Sequence, residues 1–198
     1  MRPQQVILIA ATAITFSVIA ALVLYGDRSS TKVGIAAIGG SFTLADQTGQ
    51  SLTEQDLKGS YSLIYFGYTF CPDVCPTGLQ VMSNAIEQLQ EEIQSMVTPV
   101  FITIDPERDT VERLTSYLSN FHPSIIGLTG TEKQIAQVAR AYRVYYAKAK
   151  GSEGAGDYLM DHSSIIFFMD PEGNYVTHFT HATASDSMAE TLRRSIDK

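Results

Sequence analysis

The chain has 198 residues, is 44% hydrophobic and 18% charged, and carries a formal net charge of −7, a length that suits one domain plus an appendage. No basic cluster is present to follow a phosphate backbone, which argues against a nucleic-acid partner. A cysteine count of two excludes a multi-disulfide framework and a four-thiolate zinc site.

The appendage comes first. Gln4 to Gly26 carries no charge, and Val6 to Tyr25 is rich in Ile, Ala, Val and Leu, about the 20 residues a membrane-spanning helix needs. A cleaved signal peptide is the competing reading, but its apolar stretch is usually only about 7–15 residues. We therefore expect an N-terminal transmembrane helix as an uncleaved anchor over residues 1–26. Asp27 to Gly40, with its Ser, Gly and Ala, reads as a flexible linker, and the folded domain is expected over residues 41–198.

Within that domain, Phe42-Thr-Leu44 alternates as a strand before a turn at Asp46–Gly49, and Leu52–Leu57 reads as a short helix or turn. Tyr61–Tyr68 is an apolar, aromatic strand. The spacing of Leu79, Met82, Ile86, Leu89 and Ile93 predicts a helix to about Ile93, with Pro76 at its first position. Val97–Ile104 is apolar on both faces near its end, as strands in a covered sheet are. Strand, helix and strand together make a βαβ unit with a right-handed crossover. Asp109 or Thr110 caps a helix with Val111, Leu114, Tyr117 and Leu118 on its apolar face. A short strand at Ile125–Leu128 follows, then a helix capped by Thr131, and a strand at Val144–Ala147. Lys150–Gly156 is a glycine-rich loop. Ile165–Met169 and Tyr175–Phe179 form a hairpin, and Ser185 or Asp186 caps a last helix. The fold class is α/β: a central mixed β-sheet flanked by helices, with the cysteine turn at the carboxyl end of a parallel strand, where such folds bind ligands.

Cys71 and Cys75 lie on that turn. A helix N-terminus carries partial positive charge and free N–H groups, which favour thiolate, so a lowered pKa is expected at least for Cys75. The flanking Pro72-Asp73-Val74 and Pro76 suggest an exposed turn. Three residues separate the cysteines, not the two of thioredoxin-like oxidoreductases. The pair could close a disulfide, hold a soft metal or alternate between them; a structural disulfide and inert core thiols are the plainer alternatives. Of four histidines, His162 ranks first as a third ligand, since it sits at the mouth of the buried strand Ile165–Met169. Asp161 could orient its ring or merely shape the loop. His122 lies in a Phe-His-Pro loop. His178 and His181, three apart on a strand, point to opposite faces. Two cysteines and a histidine suit copper, with zinc as second choice.

Five motifs occur in one order: Phe66-Gly-Tyr-Thr69, Cys71-Pro-Asp-Val-Cys75-Pro76, Asp105-Pro-Glu-Arg-Asp-Thr110, Leu128-Thr-Gly130 and Tyr158-Leu-Met-Asp-His-Ser163. From about Ser41 to the C-terminus the chain resembles the Sco/SenC family. The resemblance implies a thioredoxin-like domain, anchored by a single span in a bacterial inner membrane and facing the periplasm. It implies one copper ion per chain, Cu(I) or Cu(II), held by Cys71, Cys75 and His162, with Cys71 and Cys75 also acting as a redox pair. It implies a role in assembling the CuA centre of cytochrome c oxidase subunit II, as copper donor, as reductant of that subunit's cysteines, or both. A copper donor protein and a periplasmic thioredoxin-like reductant are the further partners implied. Met160 departs from the smaller apolar residue the pattern has there, and packing is the expected role; His178 and His181 lie outside the pattern. A thiol-disulfide oxidoreductase is the competing function, and it would not need His162. The Thr69–Cys71 spacing argues against a peroxiredoxin.

Overall fold

A computed structural model of the chain describes residues 38–149 and 158–197. The expected anchor, most of the linker and the loop at 150–156 lie outside the described residues. Among the described residues, no helix is long and apolar enough to cross a membrane.

The described residues form nine strands and five helices, in order β1 (Thr43–Asp46), β2 (Ser51–Thr53), β3 (Tyr61–Gly67), α1 (Val74–Glu87), α2 (Glu91–Gln94), β4 (Val97–Thr103), α3 (Val111–Leu118), β5 (Ile126–Thr129), α4 (Glu132–Ala141), β6 (Tyr146–Lys148), β7 (Met160–His162), β8 (Ile165–Met169), β9 (Tyr175–Thr180) and α5 (Ser185–Ile196). Seven strands form one sheet in the order β2-β1-β5-β4-β3-β8-β9, while β6 and β7 form a separate two-stranded sheet. The β3–β4 and β4–β5 pairs are parallel and the rest antiparallel. This is the mixed, helix-flanked, thioredoxin-like sheet that the motifs imply.

Strand β3 lies near the middle of the sheet because its side chains are apolar in both directions. Ile64 and Phe66 face one core layer, with Ile135, Val138 and Ala139 of α4. Leu63 and Tyr65 face the other, with Leu79, Met82 and Ile86 of α1, Leu114 of α3 and Met188 of α5. Alternation along the strand puts successive residues on opposite faces. Burial on both sides makes β3 a rigid base for whatever follows its carboxyl end. Truncating one of its fully buried rings, as in Phe66→Ala, costs about 3–5 kcal/mol.

Several local expectations are corrected. The first helix is two: α1 ends at Glu87, Leu89 turns back to bond Ile86, and α2 restarts at Glu91. Leu89 and Ile93 keep the apolar spacing because both halves cover one core layer. Helix α1 starts at Val74 with Asp73 as N-cap, so Pro76 is its third residue, still within the turn whose N–H groups lack helical partners. Thr110, not Asp109, caps α3, accepting from the Arg113 N–H. Helix α5 is preceded by Ala184 with no side-chain cap, since the Ser185 hydroxyl faces Gln88 Nε2 at 3.3 Å. Part of the stretch Leu52–Leu57 belongs to β2. The residues before Ser163 form strand β7, opposite β6.

Candidate metal centre

The cysteine turn hangs from the end of β3 and is tied down from below. Thr69 gives its N–H to Asp109 Oδ2 (3.0 Å) and its hydroxyl to Asp109 Oδ1 (2.6 Å), while the Thr103 hydroxyl on β4 donates to Oδ2 (2.6 Å). Asp109 is fully buried, and burial raises its pKa above the usual carboxylate value. Thr129 Oγ1 on β5 donates to the Asp109 carbonyl at 2.9 Å. Asp109 thus joins the turn to β4 through its carboxylate and to β5 through its backbone carbonyl.

The helix that follows has no side-chain cap on its N-terminus, and a sulfur takes that place. The Cys75 N–H donates to Cys71 Sγ at 3.3 Å. Cys75 is fully buried against Gly67. A Cβ on Gly67 would lie 2.9 Å from Cys75 Sγ and 2.7 Å from Phe101 Cε2, so only glycine lets the thiol sit this close to the strand. The Tyr65 hydroxyl, donating to the Val74 carbonyl at 3.1 Å, holds the first turn of α1.

His162 arrives from the other sheet. It ends β7, opposite Tyr146 of β6. Its Nδ1 lies 3.2 Å from the Ser163 carbonyl; a carbonyl only accepts, so Nδ1 donates to it and Nε2 is left to face the sulfurs. Nε2 lies 3.3 Å from Cys75 Sγ. The ring stands edge-on to Tyr68, with centroids 6.0 Å apart, and the Tyr68 hydroxyl accepts the Met160 N–H at 3.1 Å. The ligand atoms of Cys71, Cys75 and His162 all lie within 4.8 Å of one another, the only such group of three among the described residues.

One expectation for the cysteines holds only for their neighbours, and a second is reversed. The turn is exposed at Phe70, Pro72 and Asp73, but both thiols beneath it are free and buried. The thiol with the lowered pKa is Cys71, not Cys75. A hydrogen bond from the Cys75 thiol lowers Cys71 to about 4, against the opposing effect of burial and with help from His162 and the N–H groups of Asp73 and Cys75. Cys75 shifts upward because it donates to Cys71 and is deeply buried. The helix N-terminus does favour a thiolate, but its free N–H reaches the sulfur one turn back. The two thiols therefore carry one negative charge between them as a coupled pair.

Asp161 is exposed and lies opposite Ala147; the Ser163 carbonyl orients the imidazole instead. Met160 packs on the core layer that holds the cysteines, the packing role expected of it. His122 bonds Ser124 Oγ at 2.7 Å, and His178 stacks on Tyr175; neither joins the site. Sequence reasoning missed Tyr68, Arg108 and the inward-facing Asp109. All three lie inside the quoted motifs, but spacing alone does not say which polar side chain points inward.

Two sulfurs and an imidazole nitrogen converging at such distances can hold one soft or borderline metal ion, and the Ser163 carbonyl fixes the ring that would bind it. Comparison with known proteins agrees. Residues 30–197 match the family model described as SCO1/SenC. The chain is 43% identical over 169 residues to "Protein SCO1 homolog 1, mitochondrial" of Arabidopsis thaliana, covering 85% of this chain and 50% of that protein. It is 46% identical over 156 residues to an SCO2-like protein of Rickettsia conorii, covering 79% and 76%. The structure of Bradyrhizobium japonicum ScoI with copper bound superposes with a TM-score of 0.74 at 43% identity, covering 80% of this chain and 99% of that one. The chain belongs to the SCO1/SenC family.

Proposed function

We propose that this protein is a membrane-anchored copper metallochaperone serving assembly of the CuA centre of cytochrome c oxidase subunit II. Residues 1–26 are the anchor, 27–40 the linker and 41–198 the copper-binding domain, placed on the periplasmic face of a bacterial inner membrane. The cargo is one copper ion, Cu(I) or Cu(II), on Cys71, Cys75 and His162. The observation that carries this reading is the convergence of those three ligand atoms within 4.8 Å, with the imidazole Nε2 turned to the sulfurs.

The donor set suits a carrier. Thiolate sulfurs favour Cu(I), and the imidazole also suits Cu(II). Three protein donors leave coordination open for a ligand from the receiving subunit. Loss of two electrons, with release of the one proton left on Cys75, would join the Cys71 and Cys75 sulfurs and remove both as metal donors, so loading requires the reduced pair. A periplasmic thioredoxin-like reductant and a copper donor protein are the partners this requires.

A second reading has its own observation. A depressed Cys71 thiol beside a buried neighbour, Cys75, also suits a thiol-disulfide oxidoreductase acting on the subunit's cysteines. Titrating Cu(I) and Cu(II) into the reduced full-length protein in detergent, beside His162→Ala, separates the two. The carrier reading expects one Cu(II) per chain with a thiolate charge-transfer band that His162→Ala alters or abolishes. Absence of stoichiometric copper, or binding indifferent to His162, contradicts it and leaves the oxidoreductase.

A further inference from the structure

The three ligands do not share one rigid element. Cys71 sits on the β3–α1 turn and Cys75 in the first turn of α1, both anchored at the seven-stranded sheet, whereas His162 belongs to the two-stranded hairpin β6–β7, which pairs with no strand of that sheet. The distance from Nε2 to the sulfurs therefore depends on whatever joins the hairpin to the turn.

Arg108 occupies that junction. Its Nε donates to Asp105 Oδ2 at 2.5 Å, and its Nη1 donates to the Tyr158 carbonyl at 2.8 Å. The guanidinium carbon lies 3.5 Å from the Tyr158 ring centroid and 4.5 Å from that of Phe70. Phe70 immediately precedes Cys71, and Tyr158 lies two residues before β7. Asp105 completes the frame: its Oδ1 accepts the Tyr158 hydroxyl at 2.6 Å, and its own N–H donates to Thr103 Oγ1 at 2.9 Å. The Arg108 and Asp105 side chains are only 11% and 3% exposed, so solvent does little to dilute these contacts. A planar guanidinium can stack on two rings and bond a carboxylate and a carbonyl together; an ammonium cannot.

We infer that Arg108 is a positioning residue that braces the His162 hairpin against the cysteine turn and thereby sets how well the site holds Cu(II) relative to Cu(I). This rests on the copper-site reading above. Loosening the brace leaves the two sulfurs, which share one turn, in place and moves only the imidazole. Soft Cu(I) is the ion that thiolates alone satisfy best, and Cu(II) is the one that needs the nitrogen.

The test uses the reduced full-length protein in detergent with Arg108→Lys, which keeps a cation beside Asp105, and Arg108→Gln. In metal-free protein, amide exchange at Met160, whose N–H bonds the Tyr68 hydroxyl, should accelerate in both variants. Cu(II) affinity should fall about 10- to 100-fold, the usual effect of removing a group that orients a ligand, and Cu(I) affinity should fall less. Each tenfold difference between the two raises the bound copper's potential by about 59 mV. Wild-type Met160 exchange with unchanged Cu(II) affinity in Arg108→Lys overturns the brace, and so does an equal loss for both oxidation states. If Arg108→Gln does not fold, Arg108→Lys alone decides. If His162→Ala leaves Cu(II) binding unaltered, the copper-site reading fails instead; Met160 exchange then decides the brace by itself, wild-type exchange overturning it.

Discussion

Asp109 offers the sharpest test of how the cysteine turn is held. It is a fully buried carboxylate that accepts the Thr69 N–H and the hydroxyls of Thr69 and Thr103. A hydrogen bond to a charged acceptor is worth about 1.5–3 kcal/mol, and a buried donor left without a partner costs about 1–3 kcal/mol. The two hydroxyls can rotate, but the Thr69 amide cannot. Asp109→Ala should therefore destabilise the protein by roughly 3–5 kcal/mol. Asp109→Asn keeps an oxygen for the Thr69 N–H and Thr103 and turns its amide toward the Thr69 hydroxyl, so its cost should be about 1 kcal/mol. Urea unfolding of the reduced, metal-free protein measures both. The carboxylate also has a pH signature. Burial raises its folded pKa above 3.8, so its contribution to stability is fully present below that value and is lost as pH rises through the raised one. Asp109→Asn should remove this component from the stability–pH curve. An Asp109→Ala protein within 1 kcal/mol of wild type would refute the role assigned to this carboxylate.

Three further outcomes follow from the same geometry. Gly67→Ala drives a methyl group toward Phe101 and Cys75 Sγ; overpacking of about 1–3 kcal/mol, partly offset by a stiffer unfolded chain, should lower Tm by a few degrees, and unchanged Tm with unchanged Cys75 accessibility would contradict the close approach. Alkylation of Cys71 should stay fast well below neutral pH, because its pKa is lowered to about 4, while Cys75 reacts only on unfolding; a single ordinary thiol titration would contradict this. The stability that the Cys71 thiolate supplies is fully present above the ordinary thiol value of 9.0 and is lost as pH falls through about 4, so Cys71→Ser should flatten the metal-free stability curve across that window.

Much of this architecture is legible in the chain because hydrophobic patterning states it directly. The doubly apolar run Leu63–Phe66 announces a central strand, and Thr131 caps α4 as expected, with Gln134 completing a capping box in the structure. Cys71, Cys75 and His162 were nameable from their residue types and from the motifs around them. Other features depend on packing that spacing does not encode. Strand β7 carries Met160, Asp161 and His162, which have no strand pattern, and forms only because β6 lies opposite. The exchange of thiolate character from Cys75 to Cys71 follows from depth of burial and from which sulfur the free N–H meets. Asp109 looks like a helix cap in sequence, yet Thr110 takes that role and frees the carboxylate to face inward. Arg108 is one unassigned residue of a motif in the sequence; its place shows only once the Phe70 and Tyr158 rings are found against its guanidinium.

The central claim is that one copper ion is held by two sulfurs and one imidazole nitrogen. X-ray absorption at the copper edge of the full-length protein, loaded with one equivalent of Cu(I), tests it most directly. The account expects two sulfur scatterers at bonding distance and one nitrogen whose outer-ring imidazole signal disappears in His162→Ala. Copper bound by sulfur alone, or an imidazole signal that survives His162→Ala, would contradict it.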